Sequence, residues 1–223
     1  MITPVSDPED AAHLSRWVTS RLAAPGHGIA SIVPSGFASV AQIMPMMRAP
    51  NGSRVVWTTL LDRPEGPILL PFEKMFPDRA STHEVDDHDV RGDRLRAFIS
   101  ATAEVSGGHD QEVVLALWLV RSISREYQRK ADHAVVDHEH DGYILFRGLV
   151  RELDKVPWSG TLREVLPADR VWAVDSSWYL AADEEMACTW FAGSSRHVDA
   201  LKRQEILDVL DVPSAPPRIQ RGP

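Results

Sequence analysis

The sequence predicts an α+β fold in which a mainly antiparallel sheet is flanked by N-terminal and C-terminal helices. Helical spacing of apolar residues occurs near both ends of the chain, and short apolar segments bounded by turn residues lie between them. The sequence contains no internal repeat and no clean linker. We therefore expect one domain over residues 1–212 and a proline-rich, disordered tail over residues 213–223.

The first helix is predicted for residues 8–23. Asp7 is a favourable N-cap residue, Pro8 fits the first helical turn, and Asp10 places an acid near the positive end of the helix. The apolar face recurs at spacings of three and four residues: Ala11, Leu14, Val18 and Leu22. The sequence PGHG at residues 25–28 ends this pattern.

Strands are expected at residues 29–33, 54–61 and 142–147, which are rich in β-branched and other apolar residues. A helical alternative for residues 54–61 remains open. The sequence PSGF at residues 34–37 predicts a turn that leads into an extended segment over residues 38–44.

A second helix is predicted for residues 93–105, which show helical spacing and are followed by Gly107 and Gly108. The preceding residues, 64–93, contain prolines, acids and few apolar side chains. We expect a long loop there, with at most a short helical turn near residues 72–76.

The run EVVLALWLV at residues 112–120 is apolar nearly throughout, so periodicity alone does not separate a buried strand from a buried helix. The helix-forming residues ISREYQRK that follow favour a helix if the two segments are continuous. A short helix is expected at residues 149–156. The segments SWYLAAD and ACTWFAG, joined by residues 184–186, predict a β-hairpin.

The last helix is predicted to begin after Ser194 or Ser195, since either residue is a suitable N-cap. Its apolar face is expected to contain Val198 and Leu201, and Ile206 and Leu210 if the helix continues that far.

Four segments resemble an uncharacterised protein family that is common in actinobacteria. They are VPSGFASVAQIMP at residues 33–45, Trp57, GYILFRG at 142–148 and DSSWYLAADEEMACTWFAGS at 175–194. The resemblance extends over about residues 30–212 and follows the family's order of motifs. It implies a strand at residues 112–120, although RSISREY stands here in place of the family's W-E-G-like turn. The family has no established activity, so the resemblance implies no catalytic residue.

Charge and hydropathy exclude several classes of partner. The chain has 24 Lys plus Arg against 32 Asp plus Glu, and the resulting net charge of −8 repels a nucleic-acid backbone. No apolar run approaches the roughly 20 residues needed to span a bilayer, and the first residues do not resemble a secretory signal. The single cysteine, Cys188, cannot form an internal disulfide. We expect a cytoplasmic protein that binds neither nucleic acid nor membrane.

Two groups of histidines are candidates for a metal site. His138 and His140 lie two residues apart, so on an extended chain they share a face and could bind zinc together with Asp141. The residues that follow do not supply the third ligand of the known H-x-H enzymes. His83 and His88 are five residues apart, which places them on different faces of a helix. The favoured interpretation is solvated loops and no cofactor, with zinc as the alternative.

No catalytic residue is predicted from the nucleophile and phosphate motifs. Ser35 lies in a turn with no base nearby, and Cys188 lies in a predicted strand, where a thiol is usually buried and inert. The sequence GHG at residues 26–28 lacks the third glycine of a dinucleotide-binding loop.

Aromatic residues provide the remaining candidates for a binding site. Seven tryptophans are present, and four of them, Trp158, Trp172, Trp178 and Trp190, fall in the last third of the chain. Core packing is the first interpretation. The alternative is a groove on the predicted hairpin, with an acidic rim, formed by Trp178, Tyr179, Asp183, Glu184 and Trp190.

The sequence therefore favours a non-enzymatic interaction or binding module, of immunity-like or regulatory type, with an unidentified protein partner. A monomer and a dimer are both compatible with it. The competing hypothesis is a metal-dependent hydrolase that uses His138 and His140.

Overall fold

A large antiparallel sheet with helices on both faces forms the centre of the computed structural model, which confirms the predicted α+β class. Elements are numbered in chain order as β1–β12 and α1–α3. The structure describes residues 1–24, 28–45, 47–57, 84–85, 91–118, 135–138, 141–155, 169–183 and 188–212. The predicted tail at residues 213–223 lies outside this part of the chain.

The main sheet has an order that joins the two halves of the chain, and all of its strand pairs are antiparallel. Its strands are, in spatial order, β1 (Thr3–Pro4), β8 (Asp141–Leu149), β6 (Glu112–Trp118), β9 (Arg170–Ala173), β10 (Tyr179–Asp183), β11 (Cys188–Gly193), β2 (Ser39–Met44) and β12 (Asp208–Val212). Strand β7 (Val135–His138) also pairs with β8. A small second sheet contains β3 (Met47–Arg48), β4 (Arg54–Val55) and β5 (Glu84–Val85).

Three α-helices lie within the described residues: α1 (Pro8–Thr19), α2 (Arg91–Ser106) and α3 (Ser195–Lys202). All three were predicted, although α1 ends four residues early, because the amide of Ala23 turns away to donate to the carbonyl of Ala30. Asp7 caps α1, as its carboxylate accepts a hydrogen bond from the amide of Glu9 at 2.9 Å. None of the helices in the described ranges is long and apolar enough to cross a bilayer.

The two faces of the main sheet belong to separate hydrophobic cores. On one face, Trp178, Leu180 and Phe191 pack with residues of α2 and α3. On the other face, Tyr179 and Trp190 pack with residues of α1. Alternate residues of the β10–β11 hairpin therefore enter opposite cores, and both sides of this predicted hairpin are buried.

Several predicted elements are wrong. Residues 29–33 do not form a strand: Gly28–Ser31 is a turn of 3₁₀ helix, because the amides of Ile32 and Val33 donate back to the carbonyl of Ile29. The strand predicted at residues 54–61 is limited to Arg54–Val55 in the part that the structure describes. The amide of Trp57 instead donates to the Asp208 carboxylate.

Three further outcomes depend on strand pairing, and a fourth concerns the type of a helix. Glu84–Val85, predicted as loop, is a strand because it pairs with Met47–Arg48. Leu210 is not on the last helix, which ends at Lys202, but in strand β12. The open choice at residues 112–120 is decided for a strand over Glu112–Trp118, which pairs with both β8 and β9. The short helix predicted at 149–156 is a 3₁₀ helix over Val150–Lys155.

Candidate functional site

A cleft of about 390 Å³ lies between helix α1 and the end of strand β9. We call it the α1 cleft. Helix α1 and the turn after it contribute His13, Leu14, Arg16, Trp17, Ser20 and Arg21. The sheet contributes Trp172 and Val174. Ligand pockets in proteins usually measure about 300–1,000 Å³, so the cleft is large enough for a small ligand or a single residue of a partner.

Helix α1 presents two different faces, which explains why its polar residues line the cleft. Leu14 and Val18 are buried against the sheet. His13, Arg16, Trp17 and Ser20 recur at spacings of three, one and three residues, so they share an adjacent face. The helix is therefore held by its apolar face, and this second face is free to contact a ligand.

Trp17 is one of the two aromatic residues that line the cleft. Its ring packs against Phe37 and Tyr179 at centroid distances of 5.7 and 6.3 Å. The guanidinium of Arg21 lies 5.6 Å from the ring centroid, within the range of a cation–π contact. The indole Nε1 is buried but has no hydrogen-bond partner among the described residues. A buried donor without an acceptor costs about 1–3 kcal/mol, so this atom favours binding of an acceptor.

The buried ring of Tyr179 packs against the indoles of both Trp17 and Trp172. Its ring stacks on Trp172 with a centroid distance of 6.5 Å and an interplanar angle of 24°. Burial raises the pKa of the Tyr179 phenol to about 12, although Arg170 opposes this effect, so the group is a neutral hydroxyl. In the part of the chain that is described, its oxygen also has no hydrogen-bond partner.

The VPSGF turn contacts two residues of the cleft, Arg21 and Trp17. Gly36 has a φ of +103°, a left-handed conformation that glycine adopts without strain. A Cβ at this position would lie 3.2 Å from Nη1 of Arg21. The amide of Ser35 donates to the carbonyl of Arg21 at 3.0 Å, and Phe37 packs on Trp17. This turn therefore sets the positions of Arg21 and Trp17.

The cleft is electropositive although the chain as a whole is acidic. Arg16 and Arg21 are permanently charged, and His13 lies beside them. None of the described residues that line the cleft is acidic. In a chain of net charge −8, a local group of cations next to two indole rings is a specific feature that favours an anionic ligand.

A second polar cluster joins helices α2 and α3 on the opposite face of the sheet. His197 Nε2 lies 3.2 Å from Oγ of Ser106, and His197 Nδ1 lies 2.9 Å from Oγ of Ser194. A serine beside a histidine is also the arrangement of a nucleophile and its base, so the direction of these hydrogen bonds matters.

The hydrogen-bond directions argue against nucleophilic catalysis at Ser106. The amide of Ser194 donates to Nδ1 of His197, and the Ser194 hydroxyl accepts from the amide of His197 and is free to donate to Nδ1 as well. Nδ1 is therefore an acceptor, and the proton of the neutral ring is on Nε2. Nε2–H then donates to Ser106, whereas a general base must accept the serine proton. The cluster is a helix cap that ties α3 to α2.

A hydrogen-bonded network continues beside this cap. Trp178 Nε1 donates to Oε1 of Gln111 at 2.7 Å, and Nε2 of Gln111 donates to Asp175 and to Oγ of Ser177. Partial desolvation alone would raise the pKa of Asp175, but hydrogen bonds from Ser177 and Gln111 together lower it. The network is satisfied internally and holds the β9–β10 turn in place.

Arg94 and Asp208 form a buried polar pair near the end of strand β2. Arg94 donates to the carbonyl of Met44, and Asp208 accepts from the amide of Trp57. Burial lowers the pKa of Arg94 to about 10, with a smaller contribution from Arg54, while Asp208 opposes the shift. Burial raises the pKa of Asp208. These groups connect α2, β2 and β12 and are anchored to backbone, which is a structural role.

The aromatic residues predicted to line a hairpin groove lie in the cores. Trp178, Tyr179 and Trp190 each have 0% exposure. This burial supports the core-packing interpretation for the three rings, and a binding role for the hairpin stays a prediction. Glu184 and the side chain of Asp183 lie outside the described residues.

The predicted metal ligands lie at a β-hairpin. His138 ends strand β7 and Asp141 begins strand β8, and the two are paired across the hairpin. This stretch, predicted as a solvated loop, is therefore mostly strand. His140, like the second pair His83 and His88, lies outside the described residues. Among the residues that are described, no group of three or more His, Cys, Asp or Glu side chains could hold a metal ion.

The two predicted nucleophile candidates have structural positions. Cys188 is buried, with 2% exposure, and its Sγ accepts a hydrogen bond from Nε2 of Gln42 at 3.4 Å. Ser35 lies in the VPSGF turn, which was predicted correctly.

The sequence predictions did not include the cleft residues. One signal was available: His13, Arg16, Trp17 and Ser20 form a polar and aromatic stripe beside the apolar stripe of the predicted first helix. The other wall was not recognisable, because Trp172 and Val174 are more than 150 residues away along the chain.

Comparison with family models, with curated proteins and with solved structures found no match to this chain. The resemblance to the actinobacterial family therefore stays a prediction, and we infer function from the geometry of the α1 cleft.

Proposed function

We propose that this chain is a non-enzymatic binding module in the cytoplasm, and that its α1 cleft binds an acidic group of a protein partner. One observation carries the proposal: Arg16, Arg21 and His13 line the same cleft as the indoles of Trp17 and Trp172. Guanidinium groups are well suited to carboxylates, which they bind through paired hydrogen bonds. Tryptophan and arginine are also the residues that most often dominate protein interfaces.

The remaining polar clusters support a binding role over an enzymatic one. The Ser106–His197 pair has its proton on the wrong ring nitrogen for a general base, and the Asp175 network is satisfied by its own hydrogen bonds. The α1 cleft differs from both, since it combines charged groups with a buried donor that lacks an acceptor in the described structure. An immunity-like or regulatory protein would use such a site to hold its partner without changing it chemically.

The proposed resemblance to the actinobacterial family agrees with this location. The VPSGF segment that carries part of the resemblance forms the turn that positions Arg21 and Trp17.

The experiment is an NMR titration of the full chain with a blocked acidic tripeptide, acetyl-Gly-Glu-Gly-amide, against its neutral analogue acetyl-Gly-Gln-Gly-amide. We expect weak binding of the acidic peptide, with a Kd of about 1–10 mM, because only one residue is recognised. The amide signals of residues 13–21 and 172–174 should shift, and the neutral peptide should leave them unchanged.

A pair of charge reversals provides the control. Arg16→Glu with Arg21→Glu should weaken binding by at least about tenfold, since the charge-assisted hydrogen bonds are lost. Arg96→Glu with Arg196→Glu makes the same change of charge on exposed positions of α2 and α3, on the opposite face of the sheet. Equal weakening by the two double variants would show only a general charge effect and would overturn the proposal, as would shifts elsewhere on the chain.

A further inference from the structure

The α1 cleft has an arrangement that narrows the kind of acidic group it can bind, and this step depends on the proposed function. We infer that the α1 cleft binds an aromatic residue at the C-terminus of the partner, with the terminal carboxylate on Arg16 and Arg21 and the ring beside Trp17 and Trp172.

The cleft places positively charged groups next to apolar groups. Arg16 and Arg21 favour a negative charge. Val174 and the half-buried indole of Trp17 provide apolar surface in the same space, beside the largely buried Leu14 and Trp172. An aspartate or glutamate side chain would satisfy the cations and leave the apolar surface exposed to water. A ligand that fills the whole cleft therefore carries a charge and a flat apolar group within a few bonds of each other.

Among unmodified residues, only the C-terminal position of a protein offers a carboxylate and an aromatic ring on a single residue. No side chain contains both a carboxylate and an aromatic ring, but a C-terminal phenylalanine, tyrosine or tryptophan has its main-chain carboxylate beside its ring. The cleft volume of about 390 Å³ suits one such residue rather than a longer segment. Capture of a terminal carboxylate is also a recurring mode of peptide recognition.

Trp17 contributes a polar contact as well as an aromatic one. Its Nε1 is out of contact with solvent and unpartnered within the described chain, while the rest of the indole is half-buried. A carboxylate has about four acceptor positions, so it can bind both an arginine and an indole N–H. This hydrogen bond requires a rotation of the indole that exposes the buried Nε1 to the cleft.

The test uses N-acetylphenylalanine as a mimic of an aromatic C-terminus, with the indole N–H signals of the full chain as the readout. Trp17→Phe identifies the Trp17 signal. We expect N-acetylphenylalanine to bind at least about tenfold more tightly than N-acetylalanine, because burying the ring adds favourable free energy. The Trp17 signal should move to the position typical of a hydrogen-bonded indole, and N-acetylphenylalanine amide, which lacks the charge, should not produce this change.

Two results would overturn the inference and leave the proposed function intact. Equal affinity for N-acetylalanine and N-acetylphenylalanine would show that the cleft recognises the carboxylate alone. Much tighter binding of the free acid indole-3-acetate than of N-acetylphenylalanine would show that the cleft prefers a small aromatic acid to a protein terminus. If none of these probes and no acidic tripeptide bound, both the inference and the proposed function would fail.

Discussion

The two faces of the main sheet are packed in different ways. The face covered by α2 and α3 is closed: Phe98, Trp178 and Phe191 are fully buried, and the Trp178 indole has a hydrogen-bond acceptor in Gln111. The face covered by α1 contains the cleft, and within the described chain two buried donors there, Trp17 Nε1 and Trp190 Nε1, have no acceptor.

This difference shows which face is suited to binding. A fully packed core leaves no space for a ligand, even though Arg94 Nε of α2 also has no acceptor within the described chain. A face with unpartnered donors has given up some stability, and a ligand that supplies acceptors can recover it. Variants on the two faces test this difference.

Removal of a large side chain should cost much more on the closed face than on the cleft face. Phe191 packs against Phe98 at 6.1 Å and against Trp178 at 6.3 Å, and it is fully buried. We expect Phe191→Ala to lower the free energy of unfolding by about 3–5 kcal/mol. Trp17→Ala removes a larger but only half-buried ring, so we expect a loss of about 1–3 kcal/mol.

Urea unfolding followed by circular dichroism measures both losses. Phe191→Leu, which leaves most of the volume filled, keeps the comparison possible if the alanine variant does not fold. A loss at Trp17 as large as that at Phe191 would mean that the α1 face is packed as tightly as the other, contrary to the description of an open cleft.

The two buried tryptophans of the hairpin test the difference in hydrogen bonding. Trp178 and Trp190 both have 0% exposure, but only Trp178 donates to a described acceptor, Oε1 of Gln111. Trp178→Phe and Trp190→Phe remove similar volumes. We expect Trp178→Phe to cost about 1–2 kcal/mol more, since it also leaves the Gln111 carbonyl without its donor.

A double-mutant cycle isolates this contribution. Gln111→Ala should destabilise the parent protein more than it destabilises the Trp178→Phe variant, and it should have the same effect with or without Trp190→Phe. Equal costs for the two tryptophan substitutions would show that the hydrogen bond on the closed face adds nothing measurable.

Local patterns predicted much of the fold. The cap at Asp7 identified the start of α1, and the two candidate caps Ser194 and Ser195 placed the start of α3 to within one residue. Alternation identified the hairpin of Tyr179–Asp183 and Cys188–Gly193. Most errors lie where distant groups decide the structure, whereas the 3₁₀ turn at Gly28–Ser31 depends on local hydrogen bonds. Glu84–Val85 is a strand only because β3 lies beside it.

The site was less predictable than the fold for the same reason. Aromatic content pointed to the hairpin, but whether a ring is buried or exposed depends on what covers it, and α1 covers Tyr179. The stripe of polar residues on α1 was visible in the sequence. Its meaning depends on Trp172, which meets it only in the folded chain.

The VPSGF turn can be tested with a matched pair of glycines. Gly36 and Gly52 have positive φ angles of +103° and +80°. Substitution by alanine at either position should cost about 1 kcal/mol through backbone strain. A Cβ at Gly36 would also press on the Arg21 guanidinium, whereas a Cβ at Gly52 would meet no described atom within 4 Å.

The two variants should therefore differ at the cleft rather than in stability. Gly36→Ala should shift the indole N–H signal of Trp17 and weaken binding of N-acetylphenylalanine, because Arg21 lies over that ring. Gly52→Ala should do neither. If Gly36→Ala leaves the Trp17 signal unchanged, the turn does not position the cleft residues.

The stability of the folded chain should depend weakly on pH through His197, which lies on the closed face. Burial lowers the pKa of His197 below its ordinary value of 6.5, although Asp175 opposes the shift. Protonation of Nδ1 would break the hydrogen bond from the Ser194 amide. The unfolded chain therefore binds this proton more readily than the folded chain, and stability should be constant above about pH 7.5 and fall as the pH drops through about 6.5.

The substitution His197→Gln removes the titration and keeps the helix cap, since a glutamine three residues after a serine also completes a capping box. We therefore expect this variant to have a free energy of unfolding that is less sensitive to pH between about 7.5 and 5.5. The control is His109→Gln, which makes the same substitution at an exposed position away from the Ser194 cap. We expect this change in stability to be the smallest of those predicted, since the substitution alters only one of the nine histidines in the chain. If the His197→Gln variant lost stability with falling pH as steeply as the parent, the folded chain would bind the His197 proton as readily as the unfolded chain, contrary to a lowered pKa.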